Sequence, residues 1–364
     1  MTTQDTLKKT PLYKDHVALN AKMVPFGGWD MPVQYEGILA EHHQTRHECS
    51  LFDISHMGEF IIEGDATALD GIVTMSIKDM PVQSCRYGMI LNEQGGIIDD
   101  LIVFRLEQAK WFIVVNGATT AKDAAHFQKH LKGGTVFKDV SLATGKLDVQ
   151  GPTARKILKT FVGDIDKLEY YKFDFFDLLG ENVLISRTGY TGELGYEIYY
   201  PWDKTVELWN ALLKAGDIKP AGLGARDVLR LEVGYSLYGH ELEENISPLE
   251  AGLSKFIDFE KDFIGKDALL KEKEAGVKRK IVGLLSQNRR SPRADNTIYS
   301  EDGKAIGIVT SGTFSPILEK GIGLGFVDIA CAQTGNIILF GNDKSRAEAA
   351  ISSRIFYKEG SLKT

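Results

Sequence analysis

Between residues 51 and 139, apolar positions alternate with polar ones in short runs, broken twice by helical spacing. This pattern predicts a strand over 55–62, a helix over 66–75, strands over 86–92, 97–105 and 111–115, a helix over 119–132 and a strand over 135–138. Residues 146–222 repeat the plan, with a strand over 146–150, a helix over 155–161, strands over 173–179, 182–187 and 196–200, and a helix over 204–215. In both units a glycine-led turn separates the first strand from the first helix, Gly64-Asp-Ala-Thr-Ala68 in one and Gly151-Pro-Thr-Ala154 in the other. The plan is a β-α-β-β-α-β unit occurring twice. Helices over 225–236 and 266–275 follow, and then the helical period disappears. Short strands over 280–284, 298–300, 305–310, 323–326 and 336–340, separated by turns such as Glu301-Asp-Gly303 and Gly341-Asn-Asp343, predict a small β-barrel or sandwich. The charged stretch 271–280 reads as a linker. The class is α+β.

Composition narrows the setting. The 364 residues are 43% apolar and 26% charged, a globular profile long enough for two or three domains. A net charge of −7 argues against nucleic acid as the main partner. No apolar run reaches the length of a membrane span. The opening Met1-Thr-Thr-Gln-Asp-Thr6 lacks the regions of a secretory signal. Three scattered cysteines, Cys49, Cys85 and Cys331, make neither a disulfide framework nor a metal site. The expected location is the cytoplasm, with no membrane partner.

Chemistry concentrates in Leu91-Asn-Glu-Gln-Gly-Gly-Ile-Ile-Asp-Asp-Leu-Ile-Val-Phe-Arg105, a Gly-Gly hairpin signal followed by an apolar strand with two adjacent acids. Side chains alternate across a strand, so Asp99 and Asp100 face opposite sides. One can be solvated while the other points inward or into a cleft. An inward carboxylate needs a partner and is a candidate for catalysis. The loop Gly189-Tyr-Thr-Gly-Glu-Leu-Gly-Tyr-Glu197 offers flat rings and acceptors, which suit a ring ligand with an amino-pyrimidine edge. Gly222-Leu-Gly-Ala-Arg226-Asp227 opens a helix, where Arg226 could clamp a carboxylate or Asp227 simply pair with Arg230. His43 and His47 lie one helical turn apart without a third ligand, so a solvated helix face is the expectation and no metal is assigned. Thr144-Gly-Lys-Leu147 is not a phosphate loop, and Gly321-Ile-Gly-Leu-Gly325 precedes a strand, so no nucleotide cofactor is assigned.

Taken in order along the chain, several segments resemble the T-protein family of the glycine cleavage system, the aminomethyltransferases. They are Thr10-Pro-Leu-Tyr13, Met23-Val-Pro-Phe-Gly-Gly-Trp-Asp-Met-Pro32, Leu51-Phe-Asp-Ile-Ser-His-Met57, Tyr87-Gly-Met-Ile-Leu-Asn92, Gly95-Gly-Ile-Ile-Asp-Asp100, Arg187-Thr-Gly-Tyr-Thr-Gly-Glu193, Gly222-Leu-Gly-Ala-Arg-Asp227 and Thr310-Ser-Gly-Thr-Phe-Ser-Pro316. The resemblance implies a three-domain cloverleaf around a central cavity. It has a discontinuous ferredoxin-like domain of residues 1–50 and 140–276, a ferredoxin-like domain of 51–139, and a jelly-roll-like C-terminal β-barrel of 277–364. It implies transfer of a one-carbon unit from the aminomethyl-loaded lipoyl arm of H protein to tetrahydrofolate, the co-substrate, with release of ammonia. It places the catalytic acid at Asp100 and folate contacts at Met57, Tyr87, Asn116, Tyr190, Glu197, Arg226 and Tyr235. Arg289, Arg290 and Arg293 become a candidate docking patch for H protein. Family members often carry tyrosine where this chain has Phe104, and the chain's end, from Tyr357 to Thr364, lacks the arginines of some relatives. The rival readings are a folate-dependent demethylase of a small sulfonium or quaternary ammonium compound, and a folate-binding protein without catalysis.

Overall fold

The computed structural model describes residues 7–342 and 344–363. The stretch Met1–Thr6 read above for a targeting signal, and Asp343 of the Gly341 turn, lie outside the described residues. Helix α1 (Tyr13–Ala18) precedes a hairpin of β1 (Lys22–Phe26) and β2 (Trp29–Gln34), then α2 (Ile38–His47) and β3 (Cys49–Asp53). The next stretch contains β4 (Gly58–Glu63), α3 (Ala66–Asp70), β5 (Ser84–Leu91), β6 (Ile97–Glu107), β7 (Lys110–Val115), α4 (Thr120–His130) and β8 (Val136–Asp139). Its strands form one antiparallel sheet in the order β5-β6-β7-β4-β8.

A second stretch contains β9 (Thr144–Gln150), α5 (Ala154–Leu158), β10 (Phe173–Leu178), β11 (Glu181–Ser186), β12 (Gly195–Pro201), α6 (Thr205–Leu213) and β13 (Ile218–Pro220). These strands form a sheet in the order β10-β11-β12-β9-β3-β13, with β3 inserted between β9 and β13 and parallel to β13. Helices α7 (Leu223–Glu232) and α8 (Lys266–Ala275) lead to β14 (Arg279–Ser286), β15 (Thr297–Tyr299), β16 (Ala305–Ser315), β17 (Lys320–Asp328), β18 (Ile337–Asn342) and β19 (Ser345–Ser352). These six close into a barrel, β14-β17-β16-β15-β18-β19. The fold is α+β, as the residue pattern implied, and of the barrel or sandwich expected at the C-terminus it has the barrel.

Of the elements that depart from expectation, three show a clear local reason. The strand expected over 55–62 begins only at Gly58, because the chain turns first. Ser55 N–H donates to Asp53 Oδ1 at 2.9 Å, and Met57 N–H donates to Ile54 O at 3.2 Å. An aspartate that bonds the backbone two residues on makes a turn, and this one sends β3 and β4 into different sheets. The helix expected over 66–75 stops at Asp70. Val73 instead bridges Ile90 on β5, and Thr74 N–H donates to Met89 O at 3.0 Å. The helix expected over 225–236 ends at Glu232, since Gly234 takes φ +73° and a Cβ there would meet Arg354 O at 2.5 Å. Strand β19 escaped notice because Arg346-Ala-Glu-Ala-Ala350 lacks bulky apolar residues at alternate positions.

The two sheets face each other through a layer of Cys85, Phe104, Phe112, Val114, Phe173, Leu184 and Tyr199. Edge-to-face contacts order it: Phe104 meets Phe112, Phe173 and Tyr199 with ring centroids 5.5–5.7 Å apart. Toward the start of β6 this aromatic layer gives out, and a cavity opens between the sheets, α7 and the barrel.

Candidate active site

The cavity has a volume of about 1000 Å³ and takes lining residues from every large element group. Met57, Tyr87, Asp100, Asn116, Tyr190, Glu197, Arg226 and Tyr235, the eight positions singled out by resemblance, all line it. They come from positions up to 178 residues apart in sequence (235 − 57) and meet only through the fold.

Asp100 sits on β6, whose alternation sorts its side chains. Leu101 and Val103 enter the core beneath the helices, as does Ile98 at the strand's start. Asp100 and Ile102 face the cavity, and Phe104 joins the aromatic layer on that same face. Tyr87 Oη donates to Asp100 Oδ2 at 2.9 Å, and Asn116 Nδ2 donates to Oδ1 at 2.8 Å. Burial, reinforced by the neighbouring Asp99 charge, pushes the Asp100 carboxyl up to about 7, and the two donated bonds pull against that rise. No lysine or arginine ion pair reaches it among the described residues. The group is therefore a carboxylic acid poised to exchange its proton near neutrality, on a wall that a ligand can touch.

Asp99 does not point to solvent. It is fully buried on the opposite face, where it accepts from Asn116 N (3.0 Å), Asn116 Nδ2 (2.8 Å) and Thr119 Oγ1 (2.8 Å). The sheet is covered on that side by α4, so Asp99 is shut off from solvent, while Asp100 is partly exposed to the cavity.

The far end of the cavity is built differently. Glu197 on β12 accepts from Lys146 Nζ at 3.0 Å and from Thr188 Oγ1. Arg226 on α7 donates to Asp148 Oδ2 at 3.0 Å, with its guanidinium 4.7 Å from the Tyr190 ring centroid. Lys146 pulls the Glu197 carboxyl below its ordinary value against burial, whereas burial and the Glu197 charge push Asp148 up to about 7. Lys146 also lies 3.5 Å from Met57 Sδ. Tyr190 and Tyr235 stack at 5.6 Å between centroids with 27° between planes, forming a flat aromatic wall. Tyr190 Oη is anchored on Ser236 O.

Sequence reasoning overlooked Lys146 and Asp148, and gave Arg230 only its pairing with Asp227. A signal for the first two existed: in Lys146-Leu-Asp-Val-Gln150 every second residue is polar, while Leu147 and Val149 enter the core. All of Lys146, Asp148 and Gln150 are buried, so this alternation marks a polar face turned inward. Arg230 bonds Asp227 at 2.8 Å, as the bland reading of that helix had it, but also Glu241 at 2.9 Å and Ser311 Oγ at 2.7 Å, fastening α7 to the barrel. Of the rings and acceptors in the loop 189–197, Tyr190 and Glu197 line the cavity as suggested. Tyr196 is core, and Glu193 pairs with Arg46 at 2.7 Å. Gly195 leaves room for the Gln150 amide, whose Nε2 would lie 1.9 Å from a Cβ there and would have to shift.

Phe104 is fully buried in the aromatic layer and does not line the cavity. His43 and His47 stack on one another at 6.0 Å, and no group of three or more metal-type ligands occurs among the described residues. No helix among those residues is long and apolar enough to cross a membrane. Arg293 is exposed at the cavity rim, while Arg290 is tied to Ser345 Oγ at 2.8 Å.

Known proteins resemble the chain from end to end. Residues 12–261 match the family model described as the GCVT N-terminal domain, and residues 279–358 match the glycine cleavage T-protein C-terminal barrel domain. An aminomethyltransferase of Pseudothermotoga lettingae is 44% identical over 98% of this chain and 100% of its own length. That of Halothermothrix orenii is 46% identical over 91% of this chain and 95% of its own. The crystal structure of the glycine cleavage system aminomethyltransferase T from Bartonella henselae superposes with a TM-score of 0.92 at 32% identity, covering 98% of this chain and 99% of that one. On these matches the chain belongs to the glycine cleavage T-protein family of aminomethyltransferases.

Proposed function

We propose that the cavity is where this aminomethyltransferase brings tetrahydrofolate together with the aminomethyl-loaded lipoyl arm of H protein, and that Asp100 is its catalytic acid. The observation that carries this reading is a titratable carboxyl on one wall, held by Tyr87 and Asn116, facing a cavity with a stacked Tyr190–Tyr235 wall and a charge-paired carboxylate, Glu197, at its other end. A reduced pterin brings a flat ring, an amino-pyrimidine edge and nucleophilic ring nitrogens. The donor set fits it: aromatic faces for the ring, the free lone pairs of Glu197 for the amino edge, and the Arg226 guanidinium for an anionic extension. Met57, Tyr87 and Asn116 would complete the contacts.

In the proposed mechanism Asp100 works as its anion. Loss of sulfur from the carried carbon develops positive charge, and a fixed carboxylate in a poorly solvated site stabilises that charge. Its raised proton affinity also lets it take and return a proton at Oδ1 or Oδ2 near neutral pH. Tyr87 and Asn116 hold those oxygens in place, and the walls exclude water.

Three further assignments belong to the same reading. The orders β6-β7-β4-β8 and β11-β12-β9-β13 support two ferredoxin-like units, with β5 added at the edge of one, and β10 added at the edge of the other with β3 inserted in it. The cloverleaf division would then be 51–139 against 1–50 with 140–276, its first boundary moved to follow β3, with the barrel from 277 onward. Arg289, Arg290 and Arg293 form the H-protein patch beside the cavity mouth, and the working location is the cytoplasm. The deciding assay is ammonia release from aminomethyl-loaded H protein with and without tetrahydrofolate. Strong folate dependence is expected. Equal turnover with a methylated sulfonium donor in place of the loaded H protein would overturn the reading.

A further inference from the structure

Behind Asp100, on the side of β6 away from the cavity, a third acid is buried. Asp123 on α4 is fully inaccessible, and neither of its carboxylate oxygens has a donor partner among the described residues. Yet its carboxyl lies within hydrogen-bond reach of Asp99. Two ionised carboxylates cannot bond each other, so the contact is satisfied only when one of them carries a proton. Its location follows from the surroundings. Asp99 receives three donated hydrogen bonds, from Asn116 N, Asn116 Nδ2 and Thr119 Oγ1, which favour its anion. Asp123 has no such set. Burial and the Asp99 charge push it up to about 10, against the weaker pulls of the nearby Thr119 hydroxyl, which donates to Asp99, and of Lys122. Lys122 itself is occupied by Tyr238 Oη at 2.7 Å and Glu244 Oε1 at 2.8 Å.

The link to the cavity is Asn116. Its Nδ2 donates to Asp99 Oδ1 at 2.8 Å and to Asp100 Oδ1 at 2.8 Å, so one amide group spans the two acids. We propose that Asp123 and Asp99 form a one-proton carboxyl pair that positions Asn116 and, through it, fixes the orientation of Asp100. The inference rests on the proposed role of Asp100 and adds Asp123 as a positioning residue of that site. The chain Asp123–Asp99–Asn116–Asp100 runs from α4 through the sheet to the cavity wall. Removing its far end frees Asp99 to turn toward other donors, and Asn116 turns with it.

The test uses the full chain with Asp123→Val, which removes the donor, and Asp123→Asn, which keeps a donor but no titratable proton. Asp123→Val is expected to lower kcat by roughly tenfold or more, as misplacement of a reacting group does, with KM for tetrahydrofolate nearly unchanged. Asp123→Asn should restore kcat to near the wild-type value. Infrared spectra at about pH 8, above the ordinary carboxyl range, should show a buried carboxylic-acid band in the wild type, beside that of the buried Glu59, that Asp123→Asn lacks. An unchanged kcat in Asp123→Val, or equal losses in both variants, overturns the inference. So does an unchanged infrared band in Asp123→Asn, which decides the matter even where the valine variant does not fold. Wild-type protein without folate-dependent ammonia release would refute the function proposed above, and the infrared arm would still report on the pair.

Discussion

The two ends of the cavity manage buried carboxyls in opposite ways. At the Glu197 end each acid has a cation within 3.0 Å, Lys146 for Glu197 and Arg226 for Asp148. At the Asp100 end Asp100 and Asp99 take hydroxyl and amide donors, Asp123 lies behind Asp99, and none of the three has an ion pair among the described residues. Lys146 holds Glu197 below its ordinary value as a fixed anion, although burial and the Glu197 charge still lift Asp148 to about 7 beside Arg226, whereas the acids without a cation hold protons. The first end therefore suits recognition of a ligand's fixed pattern, and the second suits chemistry in which charge and protons move.

The largest test of that contrast is the loss of Asp100. Asp100→Asn is expected to lower turnover by roughly 10²–10³, the range for removing one preorganised electrostatic group, in the folate-dependent ammonia assay, with folate affinity within a few fold. The same variant should be more stable. A carboxyl raised in the fold is penalised as pH rises from about 4, its ordinary value, to about 7, its folded one. The gain on neutralising it is therefore absent in acid and complete above about pH 7, on the order of 1–2 kcal/mol. Lys146→Met should do the reverse. It strands Glu197 as a buried, unpaired anion at a cost of about 3–5 kcal/mol, read by urea unfolding. Were both variants to change stability with the same sign, the two ends would not differ as described.

The pH dependence sharpens the comparison further. Asp100 is anionic only above about 7, so kcat should rise up to that pH and then level off. Asp99 raises Asp100 through its charge. Asp99→Asn should therefore shift the rising limb to lower pH, while also lowering the plateau because Asn116 loses an acceptor. A limb that stays in place would mean that the titrating group is not Asp100.

These particulars show what the residue pattern can carry. Period-two alternation in β6 correctly split Asp99 from Asp100, because alternation is a property of the strand alone. It could not say that α4 covers the far face, so it left one acid free to be solvated. The aromatic and charged cavity residues were legible through ordered resemblance along the chain. Lys146 was passed over because a lysine in a strand is ordinarily exposed, and the facing Glu197, 51 residues away (197 − 146), is the counter-charge that makes its burial tolerable. The turn at Asp53 was hidden for a related reason: its partners include His16, 37 residues earlier, at 2.9 Å. Local period gave the elements, while long-range polar pairing decided where they end and which charges they bury.

The smallest expected effect marks where the reactive end stops. Phe104 follows Asp100 and Ile102 on the same face of β6, and the family resemblance places a hydroxyl there. In this chain the ring is fully buried against Phe112, Phe173 and Tyr199, past the last cavity-lining residue of the strand. A hydroxyl added there enters an apolar layer and costs about 1–3 kcal/mol if it finds no partner. It touches neither Asp100 nor the stacked tyrosines. Phe104→Tyr should thus lower the melting temperature by a few degrees and leave kcat and the folate KM within about twofold. A marked gain or loss in kcat would mean that the chemistry extends along β6 beyond Ile102, and that the aromatic layer is part of the reactive end rather than the wall that closes it.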